Sequence, residues 1–234
     1  MIPTIFAAAR AGHTAPRRVV MLPAAYSGPD DFVREGFVST ARERHLDVDL
    51  VFAGVELQQV IDRTVLTRVR QELILPARSL GCAVWLGGIS LGGYLALCCA
   101  EQHPAELAGL CVFAPYLGSH IVTGEIARAR GVEGWDPPEL ANDDDERRVW
   151  RFIKSLRSGA LTVHLGLGSE DRFAERHRLL AAALAPTDVD SVPGGHDWPT
   201  WRRLWERFLD IRLAPHPEHD IPRGISPNRG RIFR

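Results

Sequence analysis

Cys82-Ala83-Val84-Trp85-Leu86-Gly87-Gly88-Ile89-Ser90-Leu91-Gly92-Gly93-Tyr94-Leu95-Ala96-Leu97 is the stretch from which the rest of the chain can be read. An apolar run of strand length enters Gly88-Ile89-Ser90-Leu91-Gly92 and leaves in a helical pattern. That is the sequence form of a nucleophile elbow, a sharp turn that lifts a serine hydroxyl out of the end of a buried strand. Side chains two residues either side of such a serine would collide with a neighbouring strand or with the helix, so glycine is expected at both places. Two confusable motifs fail. A P-loop needs Lys after the second glycine, where Gly93-Tyr94 stands, and a dinucleotide fingerprint needs glycine at position 90. Ser90 is the candidate nucleophile.

Outward from this turn, strand-like and helical patterns alternate. Residues 18–23 read as a first strand, followed by a helix near 30–44 with Asp30 or Asp31 at its N-cap. Residues 46–52 alternate polar and apolar, as a partly exposed strand does. A long helix then runs to about Ser79, interrupted by Pro76. After the elbow helix come continuous apolar strands at 107–114 and 161–167, a helix at 174–184, a short strand at 187–192 and a last helix at 198–213. Continuous apolar strands separated by helices predict an α/β fold: a mostly parallel sheet with helices on both faces. The boundaries expected for this domain are 17–213. Residues 117–159 lose the period and predict a small cap-like insertion, with the acidic run at 143–146 as a solvated face. The tail at 214–234, rich in Pro, Arg and His, is expected to lack fixed structure. No internal repeat is visible.

Bulk composition narrows the partners. The 234 residues are 45% hydrophobic with a formal net charge of −1 and show no basic stripe, so neither nucleic acid nor a membrane is an expected partner. No apolar run reaches the length of a membrane span, and residues 1–10 lack the basic start of a secretory leader. Cys82, Cys98, Cys99 and Cys111 all fall in apolar segments without metal-ligand spacing, which predicts buried reduced thiols and a cytoplasmic protein. His216-Pro217-Glu218-His219 has the look of a metal pair, but no helix is there to hold it, so no metal is expected.

A serine hydroxyl needs a base to take its proton, and the base needs an acid to hold its tautomer. On a parallel sheet both belong on loops at the carboxyl ends of later strands. After 161–167 comes Gly168-Ser169-Glu170-Asp171-Arg172-Phe173, where Asp171 is the expected acid with Glu170 in reserve. After 187–192 comes His196, between Gly194-Gly195 and Asp197-Trp198. The other eight histidines lie before the first strand, on helices, within a strand, in the insertion or in the tail. Donors for a developing oxyanion are expected at the backbone N–H of Leu91 and in the loop after the first strand, at Ala25 or Tyr26. Tyr26 and Trp198 are also candidates for contact with substrate.

The order Ser90, Asp171, His196 on alternating strands and helices resembles the α/β-hydrolase family over residues 17–213. Gly88-Ile89-Ser90-Leu91-Gly92-Gly93-Tyr94 and Pro193-Gly194-Gly195-His196-Asp197-Trp198-Pro199-Thr200-Trp201 are similar to motifs of its small bacterial serine esterases. The resemblance implies a Ser–His–Asp triad, an acyl-serine intermediate, no cofactor, and a small-molecule acyl ester or thioester as substrate. Many members carry His-Gly where this chain has Pro23-Ala24. Backbone donation survives that change, although Pro23 itself has no N–H to give. An acyltransferase using the same acyl-serine, or a non-catalytic binding protein of this fold, are the alternative expectations.

Overall fold

Seven strands form one sheet, in the order β1-β3-β2-β4-β5-β6-β7, and all neighbours are parallel except β1 against β3. They are β1 (Thr4–Ala7), β2 (Arg17–Leu22), β3 (Val48–Ala53), β4 (Ala83–Ile89), β5 (Gly109–Phe113), β6 (Thr162–Gly168) and β7 (Val189–Val192). The computed structural model describes residues 1–214 apart from 138, 142, 158 and 160, so the expectation for the tail beyond 214, its histidine pair included, lies outside the described residues. The expected parallel sheet is present. It also begins earlier than residue 17: β1 adds an antiparallel edge, and the side chain of Ile2 is buried in the core.

Ten α-helices are described. They are α1 (Pro29–Arg34), α2 (Phe37–Glu43), α3 (Leu57–Ile61), α4 (Val65–Val69), α5 (Leu75–Ser79), α6 (Leu91–Gln102), α7 (His120–Arg128), α8 (Asp145–Leu156), α9 (Ala174–Ala182) and α10 (Trp198–Phe208). The helix expected over 30–44 is two short ones. Between α4 and α5 the chain widens into a π-turn at Arg70–Ile74, just before Pro76, which has no N–H for a regular ladder and crowds the preceding turn.

Each face of the sheet carries its own apolar layer. On one, α4, α6, α7, α8 and α9 cover Val20, Leu86, Val112 and Leu165. On the other, α1, α2 and α10 bring Phe32, Phe37, Trp201, Trp205 and Phe208 onto Met21, Phe52, Ile89 and Phe113. Phe37 stacks on Trp205 with ring centroids 5.2 Å apart, and the indole N–H of Trp205 donates to the Phe37 carbonyl at 2.9 Å. Buried aromatic rings of this size dominate core stability, and a buried indole N–H needs such a partner.

One strand departs from its sequence pattern. The alternation at 46–52 predicts an exposed face, yet every residue of β3 is buried. Asp49 is tolerated inside because Arg18 donates to it at 3.2 Å and the N–H groups of Ala9 and Ala15 donate at 3.0 and 3.3 Å. A buried carboxylate with three donors is a satisfied core residue and not a solvent-facing one.

The insertion region at 117–159 contributes α7 and α8. Val122, Ile126, Val149, Trp150 and Ile153 join the core beside α6, and the Trp150 indole donates to the Leu117 carbonyl at 2.9 Å. All four cysteines are buried and free; burial pushes the thiols of Cys98 and Cys99 up to about 12. Among the described residues no helix is long and apolar enough to cross a membrane.

Candidate active site

Ser90 sits between the end of β4 and the start of α6 with φ 52° and ψ −112°. This backbone is costly for any residue with a side chain, by about 1–3 kcal/mol where it occurs. The surroundings hold it there. The Ser90 N–H donates to the Phe113 carbonyl at 3.0 Å, and its own carbonyl accepts from the N–H groups of Tyr94 and Tyr116 at 3.1 and 2.9 Å. The flanking glycines have the expected cause. A Cβ on Gly88 would overlap the Gly92–Gly93 backbone, and one on Gly92 would overlap the Leu22–Pro23 backbone at the end of β2. The turn can close against both only without those carbons.

His196 follows β7, and Asp171 follows β6, so parallel neighbours deliver both to the same edge of the sheet as Ser90. His196 Nε2 lies 3.0 Å from Ser90 Oγ, and Nδ1 lies 2.7 Å from Asp171 Oδ2. A carboxylate only accepts, so Nδ1 carries the hydrogen and the lone pair of Nε2 faces the serine hydroxyl. The other carboxylate oxygen, Oδ1, accepts the Phe173 N–H at 2.8 Å. Burial pushes the Asp171 carboxyl up. The hydrogen bonds from His196 and Phe173 outweigh it, and the carboxyl is held below its ordinary range. The rings of Phe173 and Trp201 meet the imidazole edge-to-face at 5.2 and 5.1 Å, which fixes its plane. These two aromatics were not singled out by sequence. Their signal was their placement beside Asp171 and within the His196 motif.

The neighbouring His177 is buried, and Nε2–H donates to the Pro115 carbonyl at 3.1 Å. Burial lowers its pKa, so it stays neutral beside Asp171 and does not compete for the carboxylate. Glu170, the reserve acid, is exposed, and the imidazole contact goes to Asp171 instead.

Leu91 is the first residue of α6, and the opening N–H groups of a helix have no partner within it. Ala25 and Tyr26 form a turn after β2, with Tyr26 exposed and at φ 62°. Neither the Leu91 nor the Ala25 N–H is spent on a backbone carbonyl of the described residues. Leu91, Ala25 and Tyr26 line one cavity of about 220 Å³ together with Val55 and Val60. A second cavity, of about 610 Å³, exposes Ser90 and His196 and is lined also by Tyr26, Arg172, Asp197 and Trp198. Both aromatic substrate-contact candidates therefore border the site. Arg172 packs over the Phe173 ring at 4.8 Å. Asp197 is committed to capping α10, accepting the Thr200 N–H at 3.0 Å. No described residue of 117–159 lines either cavity, because α7 and α8 spend their apolar faces on the sheet. A further cavity of about 540 Å³, beside Thr162, Pro186 and Arg212, lies at the opposite end of β6 and holds none of these groups.

A hydroxyl, a lone pair and a carboxylate in this order can move a proton from oxygen to nitrogen, with free N–H groups at a helix start to meet negative charge. The family model described as "Putative esterase" matches residues 51–209. Among solved structures, the S-formylglutathione hydrolase of Staphylococcus aureus aligns at a TM-score of 0.57 and 12% identity, over 86% of this chain and 83% of that one. The S-formylglutathione hydrolase of Agrobacterium tumefaciens aligns at 0.57 and 14%, over 92% and 90%. The monoacylglycerol lipase of Paleococcus ferrophilus aligns at 0.56 and 15%, over 89% and 96%. Identities this low speak for the fold alone, and that fold is the α/β-hydrolase one. No curated protein sequence matches the chain.

Proposed function

The chain belongs to the Putative esterase family, an enzyme for cleaving esters, and we propose that it does so through an acyl-serine intermediate with Ser90, His196 and Asp171 as its triad. His196 Nε2 takes the Ser90 proton as Oγ attacks the acyl carbon. Asp171 holds the Nδ1–H tautomer and balances the imidazolium that forms. The N–H groups of Leu91 and Ala25 receive the negative oxygen of the tetrahedral intermediate, each typically worth about 2.7–4 kcal/mol of barrier. His196 then protonates the departing oxygen, or the sulfur of a thioester. Water repeats the attack and frees the acid.

The observation that carries this reading is the unbroken hydrogen-bonded line from Ser90 Oγ through the His196 ring to Asp171, 3.0 and 2.7 Å long, beginning at a strained turn. A protein that only bound ligands would have no use for holding a serine in a costly conformation against a base. The substrate class is a small-molecule carboxylic ester or thioester, with no cofactor in any step.

The test is covalent. A fluorophosphonate should label the wild type, and Ser90→Ala should neither label nor hydrolyse nitrophenyl butyrate. His196→Ala should lose hydrolysis with the fold intact by circular dichroism. Labelling of Ser90→Ala as strong as that of the wild type would remove Ser90 from the reaction.

A further inference from the structure

The two cavities around Ser90 differ in chemistry, and the reaction distinguishes them. The departing oxygen must reach His196 Nε2 to be protonated, so the leaving group occupies the larger cavity, which exposes both Ser90 and His196. The carbonyl oxygen turns toward the Leu91 and Ala25 N–H groups. With the leaving group on the His196 side, the acyl chain takes the space away from His196, and the smaller cavity adjoins Leu91, next in the chain to Ser90, without reaching His196.

That cavity is walled by Ala24, Ala25, Val55, Val60 and Leu91. Val55 and Val60 come from the segment after β3 and Leu91 from the start of α6, so its wall joins parts of the chain far apart in sequence. No charged group lines it, whereas Arg172, Glu35 and Asp197 line the larger one. An apolar wall without a charge favours hydrocarbon and rejects a carboxylate or an ammonium. Its volume is about 220 Å³. Taking about 30 Å³ per heavy atom, the share of one water in the liquid, it holds about seven.

We infer that the cavity between the 23–27 loop, Val55, Val60 and Leu91 is the acyl-chain site, and that the enzyme prefers uncharged aliphatic acyl groups of up to about eight carbons, the carbonyl carbon at Ser90 and about seven beyond it. The inference rests on the reading of Ser90 as nucleophile. Ala24, Ala25, Tyr26 and Ser27 line both cavities, so this turn is the wall shared by the acyl and leaving-group sides.

The experiment is a series of nitrophenyl esters from acetate to decanoate on the wild type, Val60→Phe and Val55→Phe, each first titrated with a fluorophosphonate to count competent sites. Burial of each added methylene should raise wild-type kcat/KM by about fourfold, the usual gain of 0.8 kcal/mol per buried CH2 converted to a rate ratio. The rise should stop at about eight carbons, where the cavity is full. Filling the cavity should lower the hexanoate-to-acetate ratio of kcat/KM by at least tenfold in either variant, and a succinyl ester should be a poor substrate throughout. A labelled wild type with a flat chain-length profile would overturn the assignment of the cavity while leaving Ser90 in place. So would labelled variants whose ratio matches the wild type. A wild type that does not label would remove the nucleophile and the acyl site together.

Discussion

His164 should make the protein acid-sensitive, and one substitution isolates the effect. The ring lies in β6, buried between Phe113 and Phe208 with centroids 6.3 and 5.4 Å away, and neither ring nitrogen has a hydrogen-bond partner. Burial, helped by Arg212 and Arg207 and opposed by Asp190 and Asp188, lowers its pKa from 6.5 to about 4. The unfolded chain therefore takes a proton that the folded protein refuses. Stability is intact above about pH 6.5, falls as pH drops toward 4, and stops changing on this account below that. Linkage over this window gives a loss of about 2 kcal/mol at pH 5, approaching about 3 kcal/mol at lower pH. For a chain of this length 2 kcal/mol is about 4–8 °C in Tm. The assay is thermal unfolding at pH 7.5 and 5.0 for the wild type and His164→Leu, a side chain of similar bulk without the orphaned nitrogens. The variant should lose less Tm than the wild type by that amount on acidification, and should be the more stable of the two at pH 5. His177 is depressed in the same direction but is present in both proteins, so it cancels. Equal losses in the two would refute the argument that His164 is held neutral by its surroundings.

Three further outcomes are expected. Gly92→Ala places a Cβ against the Leu22–Pro23 backbone, which should cost about 1–3 kcal/mol by denaturant melts and disturb the turn at Ser90; a neutral substitution would mean the close approach is not obligatory. Asp49→Ala strands Arg18 and two backbone N–H groups inside β3's surroundings, and urea unfolding should show a loss of about 3 kcal/mol or more. Asp171→Asn should lower kcat for nitrophenyl butyrate by about 10⁴-fold with little change in KM, because an amide can favour the wrong imidazole tautomer; a loss under tenfold would take the carboxylate out of the proposed triad.

The strand–turn–helix around Ser90 was legible because its causes are local. A buried strand reads as an apolar run, and a turn too crowded for Cβ atoms reads as glycine. The positions of Asp171 and His196 followed from one topological rule, that loops at the carboxyl ends of parallel strands share an edge. β3 misled because alternation assumes that Asp49 faces water, whereas Arg18, brought alongside by the parallel pairing of β2 with β3, and the N–H groups of Ala9 and Ala15 satisfy it inside. β1 was missed since four residues without strong periodicity become a strand only where β3 offers an unpaired edge.

What the amino acids decided alone was the class of fold and which three residues, Ser90, Asp171 and His196, stand at neighbouring strand ends, because periodicity, glycine spacing and chain order are properties of neighbours along the chain. What folding added was distance and enclosure: Nε2 at 3.0 Å from Oγ, Phe173 and Trp201 around the imidazole, and two cavities, one with charged residues in its wall and one without, that share the 24–27 turn. Those depend on how side chains from remote segments pack, and a linear pattern carries no record of the space left between them.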